Sequence, residues 1–220
     1  MRQTRSSIAI GLVVVTAAFL STLGHTSASS SAPSPSDRVV PPSLRQVSGR
    51  SPGRATTEGV PAAIDDDRLV TEEDGALPDG VTVFDDEHPG IANLEAALRQ
   101  ALREAASQAA DDGIELDINS GWRSVDYQDR LLRQAVADYG SKREAARWVA
   151  TPDTSPHVSG MAVDIGSVDA TAWLAKSGAH FGLCPIYRNE PWHYEMRPKA
   201  VEHGCPRPYA DPTRDPRMQP

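Results

Sequence analysis

Two imidazoles and two carboxylates stand within two short stretches of this sequence, Ser155-Pro-His-Val-Ser-Gly-Met-Ala-Val-Asp164 and Glu190-Pro-Trp-His193. His157, Asp164 and His193 can ligate one hard-to-borderline cation, which leaves Glu190 free. Two neutral histidines and one carboxylate suit zinc, and three protein ligands leave the fourth position of a tetrahedral ion open, as catalytic rather than structural zinc requires.

The elements that must hold these groups can be read from local pattern. Gly160-Met-Ala-Val-Asp-Ile165 reads as a short strand in which Ala162 and Asp164 share one face and Val163 and Ile165 the other. The acid then faces a cleft while its neighbours enter the core. Glu190 precedes His193 by three residues, but Pro191 removes a backbone donor, so a turn or strand edge is expected there and not a helix. His25, His88, His180 and His203 have no such motif around them and receive no role.

These stretches resemble a known family, the zinc D-Ala-D-Ala carboxypeptidases, which include the vancomycin-resistance D,D-carboxypeptidases and related peptidoglycan peptidases. Its S-x-H-x-x-G-x-A-x-D pattern is met at Ser155, His157, Gly160, Ala162 and Asp164, and its E-x-W-H pattern at Glu190, Trp192 and His193. Ser120-Gly-Trp-Arg-Ser124, followed by Gln128, is similar to the family's arginine-bearing segment. The resemblance covers residues 80 to 207, with three motifs in the family's order.

The resemblance implies one zinc ion on His157, Asp164 and His193, with Glu190 as the general base that passes its proton to the leaving amine. Arg123 would stabilise the oxyanion or orient the substrate; by residue type alone it could equally be a surface arginine paired with Asp126 or Asp129. Gln128 would lie near the substrate or be an exposed helix residue. Ser155 would hydrogen-bond substrate or a metal ligand, and Trp192 would wall the site or simply pack in the core. The implied substrate is a peptidoglycan stem peptide that loses its terminal D-Ala. A peptidoglycan endopeptidase of the same family and a non-catalytic zinc-containing binding module are the rival readings; a structural zinc would need neither Glu190 nor Arg123. The segment from Cys184 to Glu190 is compact where some relatives carry a longer connection, which bears on the length of peptide accepted.

The remainder of the chain sets the context. Arg2 and Arg5, an apolar run from Ile8 to Leu20 and small residues up to Ala28 read as a signal peptide over 1–28. The run is shorter than the roughly 18 to 20 apolar residues of a spanning helix, so a membrane is expected only through an uncleaved N-terminal segment. Residues 29–64 read as a disordered Ser/Pro-rich linker, 65–207 as a single peptidase domain and 208–220 as a Pro-rich tail without regular structure. Removing residues 1–28 takes away two arginines and no acid, shifting the net charge from −8 to −10. That charge argues against nucleic acid as a partner. A monomeric, secreted or extracytoplasmic protein of the cell envelope is expected.

Within the domain, Val81–Phe84 is a strand candidate, Ile91 to Ala109 an amphipathic helix stopping near Gly113, and Ile114–Ile118 an alternating strand that delivers Arg123. Residues 125–149 read as helix with a break at Tyr139-Gly140, 170–176 as a short helix and 181–184 as a strand. The acidic runs 72–74 and 85–87 read as solvated faces. This amounts to an α+β fold, a small mixed or antiparallel sheet flanked by helices. Cys184 and Cys205 are the only cysteines, and in an exported chain they form a candidate disulfide, the alternative being two thiols. The bridge would close a loop containing Glu190 and His193, stabilising by about 3 kcal/mol.

Overall fold

The computed structural model describes residues 69–219. The expected signal peptide, the linker and the first residues of the expected domain lie outside the described residues.

The fold is α+β, and its sheet is antiparallel throughout. Strands β1 (Ile118–Ser120), β2 (Ala162–Ile165), β3 (Leu183–Pro185) and β4 (His193–Met196) lie in the order β1-β2-β4-β3. Alternation gives the sheet two unlike faces. Ile118, Val163, Ile165, Leu183 and Tyr194 enter the main core, whereas Asp164 and His193 are direct cross-strand partners and, with Ser120 and Glu195, occupy the opposite side.

The core face is covered mainly by helix α2 (Ala96–Asp111), which follows the short α1 (Pro89–Ala92). Leu98, Ala101, Leu102, Ala105 and Ala109 recur at helical spacing and are buried against the sheet. Each of the two leucines contributes about 1.5–3 kcal/mol by leaving water. The single helix expected from Ile91 is broken at Asn93–Glu95. Glu95 donates its backbone N–H to Gly160 O at 2.8 Å, while its carboxylate accepts from Ala97 N and Leu98 N and starts α2 afresh.

Helix α3 (Val125–Tyr139) is capped by Ser124, whose hydroxyl accepts from Tyr127 N, and ends at Gly140 as expected. A short α4 (Lys142–Ala145) follows, and α5 (Val168–Ser177) and α6 (Ala200–His203) complete the helices among the described residues. None is long and apolar enough to cross a membrane.

Three expectations need correction. Val81–Phe84 is a turn and not a strand: Asp85 accepts from both Thr82 N (2.6 Å) and Thr82 Oγ1 (2.8 Å), leaving one bridge from Thr82 to Asp117. The acidic runs are not merely solvated, because Asp74 is buried and accepts from Ser124 Oγ at 3.0 Å, and Asp86 is paired with Arg103 at 2.6 Å. The tail does form regular structure. Pro212–Arg214 and Pro216–Met218 are 3-10 turns, each starting with a proline whose missing N–H is no loss at that position, and Asp215 between them is fully buried. Cys184 and Cys205 are disulfide-bonded, with Cα atoms 5.5 Å apart.

Candidate metal centre and active site

His157 sits in the turn before β2, Asp164 on β2 and His193 at the start of β4, so two of the three groups come from paired strands and the third from the loop entering them. Two glycines, Gly160 in that loop and Gly121 just after β1, allow close backbone approaches to α1 and the residue that follows it. A Cβ on Gly160 would lie 2.4 Å from Asn93 O, and one on Gly121 would lie 2.1 Å from Gly90 O. Gly121 O in turn accepts from His157 Nδ1 at 2.8 Å.

The donor atoms form a nearly equilateral triangle. His157 Nε2 and His193 Nδ1 are 3.2 Å apart, His193 Nδ1 and Asp164 Oδ1 3.2 Å, and His157 Nε2 and Asp164 Oδ1 3.5 Å. Bonds of about 2.0–2.1 Å to a tetrahedral zinc set neighbouring ligand atoms about 3.3–3.4 Å apart, so this triangle fits one face of such an ion. Among the described residues it is the group found that could hold a metal.

Each histidine has its other nitrogen occupied. A carbonyl can only accept, so His157 carries its proton on Nδ1 and presents Nε2 to the triangle. His193 donates Nε2–H to Glu195 Oε1 at 3.3 Å and presents Nδ1. Neither sequence stretch identified Glu195. Its place two residues after His193 on a strand, and so on the same face, is the signal that could have found it.

The electrostatics divide the two histidines. Burial and the Arg123 charge push His157 down, whereas His193 resists burial because Asp164 and Glu195 both bond it, and is raised to about 9. Burial would raise Asp164, but His157, His193 and Arg123 hold it well below the usual carboxylate range. Glu190 is buried and lifted by that burial to about 8, with Asp164 adding to the effect and His193 opposing it. Its Oε1 has no hydrogen-bond partner among the described residues, nor has Oγ of Ser155, two residues before His157.

Arg123 is not a surface residue and pairs with neither Asp126 nor Asp129. It is buried, donating from Nη2 to Asp164 Oδ2 at 2.6 Å, from Nε to Ser120 Oγ at 2.8 Å and from Nη1 to Gln128 Oε1 at 3.3 Å. Gln128 is likewise buried, and its amide also donates to Ala150 O at 2.9 Å. Trp192 is half-buried between Glu190 and His193, and its carbonyl accepts from Ile165 N at 3.0 Å, extending the β2–β4 pairing.

Residues 92–199, which contain the triangle, Glu190 and Arg123, match the family described as VanY: D-alanyl-D-alanine carboxypeptidase. That segment is similar to the VanY family. A D-alanyl-D-alanine carboxypeptidase of Enterococcus faecalis is 32% identical to this chain over 126 residues, covering 46% of this chain and 47% of the relative. The chain thus spans about half the length of that relative. Among solved structures, VanYB in complex with D-alanine-D-alanine is 28% identical, with a TM-score of 0.47 over 50% of this chain and 74% of its own. A vancomycin-resistance D,D-pentapeptidase VanY mutant in complex with Zn(II) is also 28% identical, with a TM-score of 0.44 over 47% and 72%.

Proposed function

We propose that the domain is a zinc-dependent D-alanyl-D-alanine carboxypeptidase that removes the terminal D-Ala from peptidoglycan stem peptides outside the cytoplasm. The observation that carries this reading is the triangle of His157, Asp164 and His193 donor atoms at 3.2–3.5 Å, with the free carboxylate oxygen of Glu190 in the same segment as His193. Zinc held there would supply Lewis acidity, lowering the pKa of water and polarising the scissile carbonyl.

The chain's own residues supply the rest. Glu190 takes a proton from the attacking water at Oε1 and returns it to the leaving amine; its elevated affinity for protons suits both halves of that task. Arg123 commits three of its five N–H groups to Ser120, Gln128 and Asp164, holding the ligand carboxylate, and its other two can bond a substrate carboxylate or oxyanion. Ser155 Oγ, buried and unpartnered, is a further contact for substrate, and Trp192 limits water beside Glu190. Gln128 acts here through Arg123, which it braces.

The test is to incubate the full zinc-loaded chain with a stem pentapeptide ending in D-Ala-D-Ala and follow products by mass spectrometry. Wild type should release one D-Ala. Glu190→Ala should retain zinc and lose about 10²–10⁴-fold in rate, whereas His193→Ala should lose both zinc and activity. Equal zinc loss in the two variants would contradict the role of Glu190. Internal cleavage would make the protein an endopeptidase, and absence of cleavage with zinc bound would make it a binding module.

A further inference from the structure

The segment that follows the family-matched residues reaches Glu195, the carboxylate that accepts from His193. Asp211 accepts from Thr213 N at 3.0 Å and from Arg147 Nε at 3.3 Å, pinning the first 3-10 turn of the tail to the domain. Asp215, fully buried, accepts from Arg217 N at 3.0 Å and from Tyr187 OH at 3.1 Å. Both its carboxylate oxygens also accept from Arg217 Nε at 3.1 Å. The guanidinium so seated grips Glu195 at both oxygens, Nη1 to Oε2 at 2.6 Å and Nη2 to Oε1 at 3.2 Å. Glu195 Oε1 is the acceptor for His193 Nε2, and the Tyr187 ring lies against the His193 ring with centroids 5.1 Å apart.

We propose that residues 211–218 are a positioning strap for the metal centre, in which Asp215 seats Arg217, Arg217 clamps Glu195, and Glu195 holds the His193 ring with Nδ1 towards the cation. Arg197 also touches Glu195, its nearest approach being Nη2 to Oε2 at 2.8 Å. One contact leaves a carboxylate free to turn about its last torsion, which has no sharp minimum; a two-point guanidinium grip fixes its plane. Metal-ligating histidines depend on such a partner for ring orientation, and its loss typically costs 10–100-fold in metal affinity. The strap lies outside residues 92–199, so this centre draws its support from beyond the family-matched segment.

The inference rests on the reading of His193 as a zinc ligand and not on any substrate, so it is tested without turnover. Zinc affinity of the full chain is measured by chelator competition, and the His193 Nε2–H signal of the zinc-loaded chain is followed by ¹⁵N NMR. Arg217→Ala and Asp215→Asn should each weaken zinc by about 10-fold or more and speed exchange of that proton. Arg217→Lys should recover only part, since an ammonium cannot grip both oxygens. Arg214→Ala, exposed on the same strap, should leave both readouts unchanged. Should Arg217→Ala not fold, the near-isosteric Glu195→Gln carries the same expectation. Wild-type affinity with an unchanged Nε2–H signal in the folded Arg217→Ala or Glu195→Gln chain would overturn the strap, while leaving zinc hydrolysis intact as a reading.

Discussion

Burial alone would raise the Glu195 carboxyl, yet hydrogen bonds from His193 and Arg217 outweigh it and hold the group at about 2, against an ordinary 4.5. A carboxyl depressed in the folded state contributes stability that is fully present above its unfolded pKa and is lost as pH falls towards the folded value. In urea unfolding of the zinc-free chain, stability should therefore fall between pH 4.5 and 2, with Glu195 responsible for on the order of 3 kcal/mol of it. Glu195→Gln should flatten that slope. An equally steep decline in the variant would show that other carboxylates carry it. At this scale the sequence was informative about residue types, because His157, Asp164, Glu190 and His193 carry their chemistry in their own side chains. It said nothing of Arg217, whose role depends wholly on what it touches.

The loop between α4 and β2 shows what an element must satisfy to place a ligand. Gly160 has φ +70°, and its Cβ would strike Asn93 O at 2.4 Å, at the point where Glu95 bonds Gly160 O and α2 begins. Gly113 has a similar φ of +74° but open space around its Cβ. Gly113→Ala should thus lose only the backbone strain, about 1–2 kcal/mol, whereas Gly160→Ala should lose more and also weaken zinc, because His157 is three residues away. Thermal melts with chelator competition would check both; equal destabilisation of the two variants would remove the close-approach argument. Helix periodicity and strand alternation were legible for α2, α3, α5 and β2, where a repeating apolar face dictates the element. The break at Asn93–Glu95 and the turn at Val81–Phe84 were not, since each is decided by a distant carbonyl or a capping carboxylate.

Across the whole molecule, a cation bound only by the folded triangle stabilises by mass action. Zinc at 100 times its dissociation constant should add about 2.7 kcal/mol, which for a chain of this size corresponds to a rise of about 5–10 °C in melting temperature. A chelator should reverse the shift in differential scanning calorimetry, and His157→Ala should abolish it. A melting temperature indifferent to zinc and chelator would mean that the triangle holds no ion. The Cys184–Cys205 bridge closes the loop carrying Glu190 and His193, so these two and the strap's target Glu195 belong to one cross-linked segment.

The sequence by itself singled out His157, Asp164 and His193, which the fold brings together, along with the likeness to the VanY family and the α+β class, because motif residues and apolar periodicity are local properties of the chain. Tertiary structure alone decided that Arg123 bonds Asp164 across 41 residues and that Arg217 reaches Glu195 across 22. It also turned a proline-rich tail into part of the metal centre's support. Proline density forecasts the absence of long helices and strands correctly, but says nothing about burial. Asp215 is held by its neighbour Arg217 and by Tyr187, 28 residues earlier, and the second contact exists only once the fold has brought the two together.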